Sequence, residues 1–517
     1  MKHIKKLASL LLALVMALSL AVTAFADEST TYSITINNST AGHTYEAYQI
    51  FTGDLATNEA GNKVLSNIVW GSGVSEAGQT ALGDAATKTE TLKTEADAKA
   101  FAKAVAPYLT TAAGSANTVT DGKYVISGLA AGYYLVKDQD GSLIGDNDSY
   151  TEYIIQVVGN VTATPKSDVP EVQKKVKDIN DSTDTTKTDW QDSADYDIGD
   201  SIPFQLKATL ADNVSSYTTY KVVFHDTLSK GLTYNKDAKV YIDGTETNGF
   251  TVTATVNADG TTTLTVSCDD VKALGAGNSS VITVEYTAKL NENAVLGSAG
   301  NPNEVYLEYS NNPNKSEEGN NETGETPKDV VIVFTYKTII NKVDSETKPL
   351  TGAAFKLEKL IKGEDGAADT WTTIKEFAVD GTTTSFTFSG LDDGQYKLTE
   401  TKTPVGYNTI DPIYFVIEAT HGETADVPTL KTLNAYLTDA NGNKQTEMKD
   451  GESVNIDLGT VDLTAGSITT TVVNKSGSEL PSTGGIGTTI FYVLGGVLVL
   501  AAVVLLVTKK RMSGAEK

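Results

Sequence analysis

The segment TIINKVDSETKPLTGAAFKLEK (Thr338–Lys359), with VFTYK just before it, decides how this chain is read. Successive side chains of a strand point to opposite faces, so residues two apart share a face. On that count Lys342 is in phase with Phe334, Tyr336 and Ile340, and a lysine points where apolar neighbours point. The same texture recurs in YSITI, YVISGL, YYLVKD, YIIQVV, YKVVF, TTTLTVS, SVITVEYTA, EVYLEYS, TSFTF, YKLTE and IYFVIE. These runs are β-branched or aromatic and are separated by turn residues. Helical periodicity is clear once, around Glu95–Leu109, where Ala98, Phe101, Ala102 and Val105 share a face. The expected fold is all-β, with tandem immunoglobulin-like β-sandwich domains.

Length and composition narrow the function. The chain has 517 residues, 66 acidic against 41 basic, for a formal charge of -25. That length suggests three domains. An acidic surface repels phosphate backbones, so no nucleic-acid partner is expected. Only His3, His43, His225, His421 and the lone Cys268 are available for metal or thiol chemistry. No Cys/His metal cluster, disulfide framework or nucleophile–base pair follows from them, so neither metal nor cofactor is expected and the chain does not read as an enzyme. DINDSTD (Asp178–Asp184) reads as a solvated acidic loop rather than a calcium site.

Two polar boundaries divide the chain. TPKSDVP (Thr164–Pro170) brackets a short stretch between prolines, and Asn311–Lys328 is almost free of apolar residues. SGLAAGYYLVKD (Ser127–Asp138) aligns without gaps on SGLDDGQYKLTE (Ser389–Glu400), placing Asp138 opposite Glu400. One loop–strand unit is thus used in both the first and third domains.

The ends read as processing signals. Lys2, Lys5 and Lys6, an apolar run and Ala24-Phe25-Ala26 form a secretory signal peptide with cleavage after Ala26. Ile490–Val507 is long enough to span a bilayer and is followed by Lys509, Lys510 and Arg511. Leu480-Pro481-Ser482-Thr483-Gly484 stands before it. In that order, these parts resemble the sorting signal of Gram-positive sortase substrates. The resemblance implies cleavage between Thr483 and Gly484 and transfer of the Thr483 carbonyl to an amine.

Inside the chain, TIINKVDSETKPLTGAAFKLEK, YKLTETKTPVGY and TTTVVNKSG resemble the collagen-binding-protein B-type (CnaB-like) domain, the middle one being similar to the pilin E-box. The resemblance implies an internal isopeptide cross-link Lys342–Asn474 with Glu400 as helper acid. Phase agrees, since Asn474 goes with Val472. Burial would strip the lysine of its proton and leave the acid its own, so a neutral amine attacks the amide carbon while Glu400 polarises the oxygen. VVFHDTLSKGLTY resembles the acid-bearing strand of A-type fimbrial domains, implying a cross-link Lys174–Asn303 with Asp226 as helper. Lys174 shares the phase of Val172 and Val176, and Asn303 that of Val305, Leu307 and Tyr309; Lys175 replaces Lys174 if the strand bulges. In the first domain Asn38 falls where Lys342 stands, so no cross-link is expected and Asp138 becomes an ordinary acidic strand residue.

Lys166 follows Pro165 just after the first domain. This position resembles the YPK-like segment whose lysine accepts the next subunit in fimbrial backbone subunits, although TPK replaces YPK. Taken whole, the chain resembles the major (backbone) pilin of sortase-assembled Gram-positive pili. The implied plan is 1–26 signal peptide, 27–165 first pilin domain, 166–328 middle isopeptide-forming fimbrial domain, 329–476 B-type domain, and 477–517 sorting signal, transmembrane helix and basic tail. The implied partners are pilus-class and housekeeping sortases, identical subunits head to tail, accessory pilins, peptidoglycan, and a host or surface ligand. The implied location is the cell wall, as a surface pilus serving adhesion. The alternative is a singly displayed wall-anchored adhesin or an accessory pilin.

Overall fold

The computed structural model describes residues 30–58, 60–165, 168–183, 189–317, 319–363, 367–445 and 457–477. Among them β-strands dominate, as expected, and no helix is long and apolar enough to cross a membrane. The signal peptide, Lys166, the LPSTG pentapeptide and the apolar C-terminal stretch lie outside the described residues.

In the N-terminal part, strand Tyr32–Asn37 lies between Lys123–Leu129 and Val161–Ala163. A second sheet, running Lys63–Trp70, Tyr45–Thr57, Gly132–Asp138 and Glu152–Val157, belongs to the same part. Ile34, Ile36, Tyr45, Ile126, Tyr134 and Val157 form its core. The predicted helix is Glu95–Val105, started by a Thr94–Asp97 capping box. Its Ala98, Phe101, Ala102 and Val105 are all buried, against Phe51 and Leu135. Two short helices unread in the sequence, Glu76–Leu82 and Ala85–Thr91, precede it. Each spans seven residues, too few for a periodic apolar stripe to declare itself.

The central part packs one sheet running from Ser193–Asp195 through Asp329–Phe334, Asn301–Ser310, Val222–Leu228 and Thr262–Cys268 to Thr251–Val256. The other contains Val281–Leu290, Ser201–Thr209 and, at its edge, Glu171–Val176. Alternate residues of both enter a single core, among them Phe204, Leu206, Val222, Phe224, Val284, Val305 and Leu307. Cys268 is buried in this core.

In the C-terminal part, strand Tyr336–Asp344 pairs antiparallel with Ser385–Leu391 and parallel with Ser467–Asn474. The second sheet contains Ala354–Ile361, Gly394–Lys402, Ile413–His421 and Leu430–Thr438. The internal repeat is one structural unit used twice. Each SGL strand pairs with its domain's opening strand, and the strand after the turn crosses to the other sheet. Gly128 and Gly390 share a left-handed turn, at φ 79° and 78°, where a side chain would be strained.

The three parts meet through backbone bonds. Gly145 N–H donates to Thr323 O (2.9 Å) and Tyr150 N–H to Asn311 O (2.8 Å), joining the first two. Asp192 N–H donates to Glu423 O (2.8 Å) and Ile198 N–H to Gly390 O (3.0 Å), joining the last two. The Asp178–Thr183 loop belongs to this second junction and is not the solvated loop expected. Ser182 Oγ donates to Leu360 O (2.7 Å), and Lys362 N–H donates to Asp181 O. An acidic loop reads as solvated in sequence, but here its polar atoms are taken up by a neighbouring domain's backbone.

Candidate functional site

Lys174 reaches the central core from the edge strand Glu171–Val176, with no exposed surface. Its Nζ donates to Asp226 Oδ1 at 2.5 Å and to the Tyr286 hydroxyl at 3.2 Å. Tyr286 in turn donates to Asp226 Oδ2 and accepts from Asn303 Nδ2 at 2.7 Å. Asp226 and Asn303 share a face on adjacent antiparallel strands, Asp226 opposite Val305 and Leu228 opposite Asn303. The amine thus crosses between sheets to meet an acid and an amide that stand side by side. Lys175 points the other way, half-exposed, and pairs with Asp192. Burial pushes the Lys174 amine down and the Asp226 carboxyl up, although each partner's charge opposes the shift. Both shifts favour the neutral forms.

The C-terminal site uses another layout. Lys342 and Asn474 come from one sheet, on adjacent parallel strands, with Lys342 opposite Val472 and Asp344 opposite Asn474. Glu400 comes from the facing sheet, on Gly394–Lys402. Lys342 and Asn474 have no exposed surface, and Glu400 is nearly as buried. Lys342 Nζ donates to Val343 O (3.1 Å) and Val472 O (3.2 Å), and burial pushes it down to about 8. Asn474 Nδ2 donates to Glu400 Oε2 (3.0 Å) and Asn408 O (2.8 Å). Glu400 therefore faces the amide nitrogen, the group that would leave, whereas the sequence reading gave it the oxygen. Asn474 Oδ1 and Asn303 Oδ1 are both buried without a hydrogen-bond partner. Such an acceptor is costly to leave unmet in a folded core.

Sequence reasoning missed two participants. Tyr286 looks like one more aromatic in an alternating strand, and only register shows its hydroxyl among three polar groups. Asp329 Oδ2 accepts the Lys174 backbone N–H at 2.6 Å, anchoring the edge strand that carries the amine.

In the N-terminal part, Asp138 is not an ordinary strand acid. It is buried and accepts from His43 Nδ1 at 2.7 Å, while His43 Nε2 lies 2.8 Å from Asp148 Oδ2. Burial works against charge on His43, but the two carboxylates outweigh it and push the ring up to about 9. Asn38 instead donates to the Tyr45 hydroxyl. His43 lies off the repeat, so aligning the repeat did not bring it to notice.

The sortase-related residues Leu480, Pro481, Ser482, Thr483 and Gly484, the acceptor Lys166 and the cleavage residue Ala26 lie outside the described residues. Thr164, one residue beyond strand Val161–Ala163 and two before Lys166, is exposed.

Comparison with known proteins gives matches along the chain. Residues 198–313 match the Cna-B-like domain of Gram-positive pilin backbone subunit 2. Residues 337–432 match a prealbumin-like fold domain, and residues 472–513 match the LPXTG cell wall anchor motif. The Cna-B-like description thus falls on the central domain, whose acid-bearing strand had suggested the A-type. The trypsin-resistant surface T6 protein of Streptococcus pyogenes serotype M6 is 26% identical over 450 residues, covering 76% of this chain and 77% of that protein. Among solved structures, the three-domain T6 backbone pilin of that organism superposes with a TM-score of 0.54 at 19% identity, over 87% of this chain and 100% of the other. The full-length major pilin SpaD of Corynebacterium diphtheriae gives 0.48 at 18% identity, over 88% and 99%. The expected fold class, family resemblance and cell-wall location agree with these matches.

Proposed function

Taking the chain as a cell-wall-anchored pilin of the backbone type, a sortase substrate rather than an enzyme, we propose how its subunits are joined and stiffened. A sortase holds Thr483 of one subunit as an acyl-enzyme, and the Lys166 amine of the next attacks it. Repetition gives a covalent head-to-tail filament, the open assembly a non-closing interface produces. The last subunit passes to peptidoglycan. Lys166 suits the acceptor role because it follows Pro165, two residues beyond exposed Thr164.

Within each subunit, the central domain closes a Lys174–Asn303 amide and the C-terminal domain a Lys342–Asn474 amide. In each, the neutral amine attacks the asparagine Cγ, the bond to Nδ2 breaks, and ammonia leaves with a proton relayed by Asp226 or Glu400. The observation that carries this reading is the fully buried Lys174 amine on Asp226, with Tyr286 linking both to Asn303. An unlinked lysine there would be an expensive guest in an apolar core.

Denaturing electrophoresis of wall extracts from cells making wild type and Lys166→Ala tests the polymer. The expected result is a high-mass ladder that collapses to monomer in the variant. A ladder that persists moves the acceptor to another lysine. No ladder in wild type overturns the backbone reading and leaves a singly displayed adhesin.

A further inference from the structure

At the junction of the central and C-terminal domains, three acceptors converge that no cross-link uses. One carboxylate oxygen from each of Asp178 and Asp195 and one ring nitrogen of His421 lie within 4.8 Å of one another. Asp195 ends strand Ser193–Asp195 of the central domain, and Asp178 follows that domain's edge strand. His421 ends strand Ile413–His421 of the C-terminal domain. Asp195 and His421 are buried, while Asp178 keeps a fifth of its side chain exposed.

The hydrogen bonds fix which way the imidazole faces. Ser193 Oγ has one proton, and it is donated to Gly422 O at 2.8 Å. The contact of His421 Nδ1 with the same Oγ, at 2.7 Å, must therefore be an Nδ1–H donation. In the neutral ring this leaves a lone pair on Nε2, which faces Asp178 Oδ2 at 3.5 Å. Asp195 Oδ2 is buried with no hydrogen-bond partner. Among the described residues, the buried Tyr336 hydroxyl is the one donor that faces Asp195, and it has no other hydrogen-bond partner. A lone pair and carboxylate oxygens gathered within 4.8 Å form a donor set that a cation can bridge.

We propose that Asp178, Asp195 and His421 bind a divalent transition metal, taken here as Zn²⁺, that ties the central domain to the C-terminal one. The donor set suits it: one imidazole and two carboxylates, the three protein ligands of a zinc whose fourth position is left to a water. The 3.5 Å separation of Nε2 and Asp178 Oδ2 is that of two neighbouring ligands on a tetrahedral zinc with bonds of about 2.0–2.1 Å. Ser193 supplies the outer hydrogen bond that orients a ligating histidine, and the Phe334 ring lies against the imidazole at 5.8 Å between centroids. Partly exposed Asp178 gives the ion its way in. The spread of ligands hid the site from sequence, since they stand 17 and 226 residues apart.

The test uses processed protein released from the wall, stripped with chelator, re-equilibrated with Zn²⁺ alone and freed of excess by gel filtration. Metal content by mass spectrometry and the thermal unfolding midpoint are read for wild type, His421→Gln and Asp195→Asn. Expected are stoichiometric retained zinc and an EDTA-reversible rise in midpoint for wild type, both lost in each variant. Wild type that elutes without zinc and unfolds unchanged overturns the proposal without any variant. Equal zinc on wild type and both variants also overturns it, by placing the ion elsewhere on the acidic surface.

Discussion

Asn38 occupies in the N-terminal domain the place that Lys342 holds in the C-terminal one. Tyr32 pairs with Leu129 of one SGL strand as Tyr336 pairs with Leu391 of the other, and Asn38 and Lys342 follow at the same offset. This domain therefore lacks the amine at that place. The processed chain is expected to weigh less than its sequence by two ammonias, not three. Glu400→Ala should restore one and Asp226→Ala the other, as read by intact mass spectrometry; a wild-type mass equal to the sequence would remove the cross-links from the proposal.

Loss of a cross-link should be felt mainly as stability. A covalent tie closing a loop of more than a hundred residues is worth about 4–5 kcal/mol in the chain-entropy account. Lys342→Ala is therefore expected to lower the unfolding free energy of the C-terminal domain by about that much while leaving the Lys174–Asn303 bond in place. By the same reasoning, limited trypsin digestion of wild type should open the N-terminal domain first and spare the part from Val169 onward. Early cleavage within the central domain would contradict it.

His43 makes the N-terminal domain sensitive to alkali. Its ring stands at about 9 in the fold against 6.5 when free, so its contribution is complete below 6.5 and is lost as pH rises through 9. Among the groups facing it, Asp138 and Asp148 carry the opposing charge, and burial pushes Tyr45 up, keeping its hydroxyl neutral across this window. The shift corresponds to about 3–4 kcal/mol. His43→Gln should destabilise the domain at pH 6, and the gap from wild type should close by about pH 10. A gap independent of pH would mean that the ring acts through packing alone.

How far the sequence could be read follows from what each residue needed. Phase alone places Lys174, Lys342, Asn303 and Asn474 indoors, because strand alternation is local and the burial pattern repeats it. The repeat carried over Asp138 and Glu400 for the same reason. Contacts between sheets were not legible: no local pattern tells that Glu400 faces the amide nitrogen, or that His43 pairs with Asp138. Junction residues were misread when local composition was the only guide. Asp181 looks like a solvated acid until its carbonyl accepts from Lys362 of the next domain.

Tyr286 gives the sharpest test of the central site, because its hydroxyl touches all three reacting partners while its ring merely packs. It accepts from Lys174 and Asn303, donates to Asp226, and its ring stacks on Phe204 at 5.5 Å. Tyr286→Phe keeps the ring and removes the relay, leaving Asp226 with only the lysine and the Asn303 nitrogen with no partner. One such bond to a charged or reacting group is worth about 1.5–3 kcal/mol, or roughly one to two orders of magnitude in rate. Newly made Tyr286→Phe is therefore expected to fold and to acquire the Lys342–Asn474 bond normally, while its Lys174–Asn303 bond forms at least about tenfold more slowly. The measurement is a pulse-chase with peptide mapping of the Lys174 and Asn303 fragments. Equal rates in variant and wild type would reduce Tyr286 to a packing residue and leave proton relay to Asp226 alone.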